Sequence, residues 1–129
     1  MKAIVVTDQA AGTAGMTLTE RPEPPAAIND VIVAIHASGW VSSELEWPST
    51  WTDRSDRDRT PSIPGHDLAG VVTALGYGTT GLSVGQRVFG LADWHRDGTL
   101  AEYVAIEARN LAPLPGDVEF AVGASLPIS

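Results

Sequence analysis

Thirteen glycines and nine prolines are spread along 129 residues, and they interrupt each apolar run before it grows long. Glycine supplies turn conformations and proline withholds a backbone donor. A chain cut this way has room for short strands joined by turns and little for long helices. The apolar runs fall where such strands would lie. Residues 3–7 read as a first strand and 18–21 as a second, ended by Pro22-Glu23-Pro24-Pro25. Residues 30–38, rich in Val and Ile, read as a buried strand, with 69–75, 87–91 and 100–106 as further ones. Residues 117–126 could open a helix, with Asp117 near its N-terminus and Phe120, Val122 and Leu126 as apolar positions. No internal repeat is visible. The expected class is mainly β with few short helices.

The length suggests one domain, and 43% hydrophobic residues suffice for a core. Cysteine is absent, so disulfides, thiolate metal sites and a cysteine nucleophile are excluded. Sixteen acidic against eight basic residues give a net charge of −8. Such a surface repels phosphate backbones, which argues against nucleic acid as a partner. No apolar run approaches the roughly 20 residues of a membrane span. Met1-Lys2-Ala3-Ile4-Val5-Val6 turns polar at Thr7-Asp8-Gln9, too early for a signal peptide. The chain reads as a soluble cytoplasmic protein with no membrane partner.

One segment departs from the pattern. Residues 51–60 carry three Asp and three Arg in near alternation, with no apolar residue after Trp51. The plain expectation is an exposed loop laced with weak surface pairs. The sharper one is a lid over a site built by the tryptophans beside it.

The middle of the chain holds a run of ordered motifs. Pro61-Ser-Ile63-Pro64-Gly65-His66-Asp67-Leu-Ala69-Gly70-Val71-Val72 is followed by Gly76, Gly78 and Gly81. Val84-Gly85-Gln86-Arg87-Val88-Phe89-Gly90 comes next, then Gly98-Thr-Leu-Ala101-Glu102-Tyr103-Val104, and finally Leu111-Ala-Pro113-Leu114-Pro115. Taken in this order, they resemble the N-terminal, GroES-like domain of the medium-chain dehydrogenase/reductase superfamily, which includes alcohol dehydrogenases, quinone oxidoreductases and enoyl reductases. The resemblance covers essentially all 129 residues. It implies a GroES-like, partly open β-barrel spanning 1–129 as the substrate-side domain, with no Rossmann domain present. Pro64-Gly65 is expected to make a turn into a strand, Gly70 to permit close backbone approach, and Gly85 to supply a conformation that other residues resist. These residues specify a fold and do not by themselves specify a reaction.

In zinc members of the family, the His that aligns with His66 and an upstream Cys bind the catalytic ion. The Cys position falls at Val41, which cannot ligate zinc. Zinc-free members often carry Asn there, so that polar role does not transfer either. Glu44 and Asp67 stand where the family usually has Asp and Glu. A metal site from Glu44, His66 and Asp67 is chemically conceivable. The preferred reading is a satisfied, partly buried His66 and no metal.

Gly76-Tyr-Gly78-Thr-Thr-Gly81 spells G-x-G-x-x-G. A dinucleotide fingerprint also needs a helix opening on the last glycine, and Leu82-Ser-Val84-Gly85-Gln86 turns again instead. The chain is therefore expected to hold no cofactor of its own. NADPH is implied only for the longer proteins of the family, whose nucleotide-binding domain follows a segment like Ala124-Ser-Leu126-Pro127. The family's last barrel strands return after that domain, so a sheet edge is expected to stay open, with a homodimer as one consequence.

Four tryptophans, Trp40, Trp47, Trp51 and Trp94, lie near the segments that line the family's cleft. Large flat side chains build walls for a small planar apolar molecule, although tryptophan is just as often core. With Val41 they form the expected substrate-binding set. His66, His95, Glu44 and Asp67 are the candidate catalytic groups, because histidine titrates near neutrality. Ser42, Ser43 and Asp93 are further polar neighbours. His36 is expected to be structural, and His95 the more exposed candidate. Two functions follow. One is the substrate-side domain of a zinc-independent, NADPH-dependent quinone or enone oxidoreductase, without redox turnover alone. The other is a stand-alone non-redox domain, either a binder of planar ligands or a cyclase or isomerase using His and carboxylate acid–base chemistry.

Overall fold

A computed structural model describes residues 1–127, the side chain of Ser42 excepted. The strands are β1 (Lys2–Val5), β2 (Thr17–Glu20), β3 (Asp30–Ala37), β4 (Asp67–Leu75), β5 (Arg87–Leu91), β6 (Tyr103–Glu107) and β7 (Leu111–Pro113). Two short α-helices are present, α1 (Pro48–Trp51) and α2 (Phe120–Ala124). Three 3-10 turns cover Gln9–Gly15, Ser42–Glu46 and Ala108–Asn110. The domain is mainly β, as expected, and each of the six anticipated strands is found within three residues of its expected ends.

The sheets follow from where the apolar side chains sit. A five-stranded antiparallel sheet runs in the order β6-β3-β4-β5-β7. Side chains alternate across a strand, and the inward set of Val31, Val33, Leu68, Val72, Val88, Val104 and Ile106 forms one cluster with Ala92. Each of these larger side chains, shut from water, contributes about 1.5–3 kcal/mol to folding. A two-stranded ribbon, β1-β2, is laced to the entry of β6 by Ile4 N to Leu100 O (2.8 Å) and Glu102 N to Lys2 O (3.1 Å). The two sheets do not close into one, which matches the partly open barrel.

Gly70 meets its expectation through contact. A Cβ there would run into the carbonyl oxygen of Ala34 on β3, so only hydrogen fits between the paired strands. Gly85 meets its own through backbone angle, with φ of 89° in the turn before β5. The helix expected over 117–126 is shorter, Phe120–Ala124. Pro115-Gly116-Asp117 is spent on a turn, and Arg87 anchors that turn by donating to Pro115 O and Val118 O at 2.7 Å each. The glycine triplet Gly76, Gly78 and Gly81 lies in the connection between β4 and β5, and no helix opens on it. Ile128 and Ser129, where the sequence ends, lie outside the described residues. Among the described residues, no helix is long and apolar enough to cross a membrane.

The alternating Asp/Arg segment is an ordered hairpin loop. A bridge between Thr52 and Asp58 closes its base, and Asp53 Oδ1 accepts from the N–H groups of Ser55 (2.8 Å) and Arg57 (3.0 Å). Its charges do not pair with one another as the alternation suggested. Arg54 and Arg59 reach out of the loop to Asp93 and Asp97. The Asp side chains are occupied with backbone N–H groups of their own turns, as at Asp53 and Asp58, which leaves the arginines to find partners elsewhere.

Candidate functional site

The site is assembled from three segments around the start of β4. The first is the 3-10 turn Ser42–Glu46, which carries Glu44. The second is the residue before β4, His66. The third is the loop after β5, which carries Trp94 and His95. Backbone bonds sew the last two together, with Ala92 N to His66 O at 2.8 Å, Gly98 N to Ile63 O at 2.7 Å and Leu100 N to Pro64 O at 3.1 Å. The loop is thereby fixed relative to His66 by main chain alone.

Glu44 does two things at once. Its Oε2 accepts from the Val41 N–H at 2.8 Å and secures the start of the turn, while its Oε1 lies 2.5 Å from His66 Nδ1. Glu44 is fully buried and His66 nearly so. With Nδ1 held, Nε2 is the nitrogen left for other partners. The rings of Trp47 and Trp94 lie 5.1 and 6.2 Å from that of His66, and 5.2 Å from each other. The two indoles also line an open recess of about 470 Å³, together with Pro48, Ser49 and His95. His66 is not part of that lining, so the indole pair stands between the buried His66–Glu44 pair and the open side. The recess walls are almost wholly apolar, which suits a flat, weakly polar guest.

Of the expected site residues, Glu44, His66, Trp47, Trp94 and His95 are brought together. Trp51 is not. It is buried in a cluster with Val6 and Leu45, and its Nε1 donates to Leu45 O at 2.7 Å. Trp40 packs against the same cluster. Val41 takes part through its backbone N–H. Asp67 is buried at the start of β4 beside Gly39, where an added Cβ would touch its Oδ2. The expected exposures of two histidines are exchanged. His36 is exposed on the outer face of β3 and stacks on Phe120 at 4.3 Å, whereas His95 is half-buried, and its Nδ1 is buried without a hydrogen-bond partner. His36 falls on the outward phase of its strand, a phase the long apolar run around it concealed.

Sequence reasoning missed what holds the loop of Trp94. Asp93 accepts from both the His95 N–H (2.9 Å) and Arg54 Nη2 (3.1 and 3.2 Å). Burial alone would raise the Asp93 carboxyl. The His95 N–H, the Arg54 guanidinium and the charge of Arg96 outweigh it and hold the group below the usual carboxylate range. Among the described residues, no three His, Cys, Asp or Glu side chains gather as a metal-binding set. A second cavity of about 420 Å³ lies along Pro22, Pro24, Pro25 and β6. Its buried Asp30 is already matched by Arg96 through two 3.0 Å bonds.

The alcohol dehydrogenase GroES-like domain family matches residues 27–116. The chain belongs to that family. It is 29% identical to an L-threonine 3-dehydrogenase of Ruegeria pomeroyi over 87% of this chain and 40% of that one. It is 37% identical to a chloroplastic NADPH-dependent alkenal/one oxidoreductase of Arabidopsis thaliana, over 54% of this chain and 19% of the other. The fold matches the quinone oxidoreductase of Coxiella burnetii with a TM-score of 0.82, covering 99% of this chain and 41% of that one at 22% identity. The chain thus spans about two fifths, or less, of the length of these relatives. The medium-chain dehydrogenase/reductase resemblance seen in the motifs is borne out.

Proposed function

We propose that this chain is the substrate-side domain of a zinc-independent, NADPH-dependent quinone or enone oxidoreductase. The observation that carries the reading is the indole pair, Trp47 and Trp94, set between an apolar recess and the buried His66–Glu44 pair. Two adjoining indoles, tilted 32° to one another, offer flat apolar faces that suit a conjugated planar substrate, and the relatives named for quinone and alkenal/one oxidation–reduction act on such compounds. His66, with Nδ1 held by Glu44, backs the two indoles from the buried side, and the half-buried His95 is the imidazole that lines the recess and would meet a substrate carbonyl oxygen there. Independence from zinc is supported by the absence of cysteine and by Val41 at the position where the family places a thiolate. The described residues do not fit a dinucleotide, because the glycine triplet at 76–81 feeds a turn into β5 and offers no helix N-terminus for a pyrophosphate. NADPH would supply the hydride from a site outside these residues.

The test is a titration of the 129-residue chain with 1,4-naphthoquinone, read by tryptophan fluorescence, beside a titration with NADPH. Saturable quenching that weakens about tenfold in Trp94→Ala supports the reading, a factor in line with losing one aromatic wall. Absence of quenching removes its basis. NADPH consumption by this chain alone would show that the turn at 76–81 holds the cofactor after all.

A further inference from the structure

We infer that the charged segment 53–59 is an ionic brace that sets the position of the Trp94–His95 wall and, through it, the affinity of the recess. The inference rests on the planar-ligand reading for its effect on binding, but its geometry stands by itself. Trp94 and His95 are bracketed by two carboxylates, Asp93 and Asp97. Each is gripped by an arginine of the segment, Asp93 by Arg54 (3.1 and 3.2 Å) and Asp97 by Arg59 (3.4 Å). Arg59 also donates through its other nitrogen to the carbonyl oxygen of Ser49 at 2.5 Å. Ser49 lines the recess on the α1 side, so one guanidinium ties both walls together. Asp97 is held further by Arg21 (3.3 Å) and by the Ile63 N–H (3.0 Å). Asp93 in turn fixes the His95 N–H.

The brace is one-sided by design of its residues. Arg57, in the same segment, is exposed and has no ion-pair partner among the described residues. It therefore serves as an internal control. Exposed pairs of this kind contribute little to global stability, so the brace acts on where the loop sits and not on whether the domain folds. It is also sensitive to screening, because Arg54 is 69% exposed.

The experiment reads the loop directly. In 1H–15N spectra, the Trp94 indole N–H (assigned with Trp94→Phe) and the His95 amide are followed in Arg54→Ala, Arg54→Lys and Arg57→Ala. Naphthoquinone affinity is measured on the same samples at 0.05 and 0.5 M NaCl. Arg54→Ala is expected to shift both signals, speed exchange of the His95 amide about fivefold and weaken naphthoquinone by a similar factor. Arg54→Lys should recover part of each effect, Arg57→Ala none of them, and high salt should mimic Arg54→Ala. Unchanged Trp94 and His95 signals in Arg54→Ala would overturn the brace whatever the quinone does. Failure of the unaltered protein to bind naphthoquinone would instead sink the planar-ligand reading, and the spectra would still decide the brace.

Discussion

His66 Nδ1 lies 2.5 Å from a carboxylate oxygen of Glu44, and neither side chain leaves more than 4% of its surface to water. The same carboxylate holds the part-buried Val41 N–H, so its removal leaves two donors without their acceptor, the one on His66 buried. Glu44→Ala is expected to cost about 2–4 kcal/mol, and urea unfolding checks it. Glu44→Gln, which keeps the side chain's length and an accepting oxygen, should lose less. Equal losses would mean that the charged carboxylate carries the whole effect, and that side-chain length and one accepting oxygen contribute nothing.

The tryptophans should separate by role. Trp51→Ala opens a hole in the Val6–Leu45 cluster and leaves Leu45 O without its indole donor. A loss of about 3–5 kcal/mol is expected. Trp94, 47% exposed, should change stability by less than about 0.5 kcal/mol on replacement by Ala. Thermal melts of the two variants make the comparison. Similar melting points would place both indoles in the core.

Acid should release the Trp94–His95 loop late. Asp93 is held below its ordinary value by hydrogen bonds that outweigh its burial. Its contribution is therefore complete above the unfolded carboxyl's pKa near 3.9 and fades as pH falls through the lower folded value. The Trp94 indole signal should stay constant from neutrality to about pH 4 and move only below it. A transition centred above pH 5 would show that another group governs the loop.

Two glycines predict opposite outcomes. Gly70→Ala forces a methyl into the Ala34 carbonyl across the β3–β4 pairing, and at least 1–3 kcal/mol should be lost. Gly116 has open space around it and no positive φ. Alanine there should be neutral or stabilise by up to about 1 kcal/mol, by restricting the unfolded chain. Denaturation midpoints of the two variants report both effects.

The strands were legible because Val and Ile runs are bounded by glycine and proline, which leaves little choice of where a strand begins or ends. β7 was not, since Leu111-Ala112-Pro113 is too short to show a period, and its place is decided by pairing with β5. α1 escaped notice for a related reason, being four residues long and starting at Pro48. Within the site, the motif order located His66, and the tryptophan count pointed to an aromatic wall. Which indole faces the recess could not be read. Trp47 and Trp51 are four residues apart, and tertiary packing sends one outward and the other into the core. The arginine contacts were hidden because alternation along the chain suggests local pairing, whereas Arg54 and Arg59 found their partners about 40 residues away.

The strand order β6-β3-β4-β5-β7 also sets a schedule for folding. β3 waits for a partner that begins 30 residues after it ends, and for another more than 60 residues on. Contacts this distant repay loop-closure entropy only once they form. The sheet therefore cannot grow hairpin by hairpin from one end, apart from the nearby pair β4 and β5. Folding is expected to fall on the slow side for a domain of this size, and β3, with Val31 and Val33 bare until β4 and β6 arrive, is the stretch most open to pairing with a neighbouring molecule in the meantime.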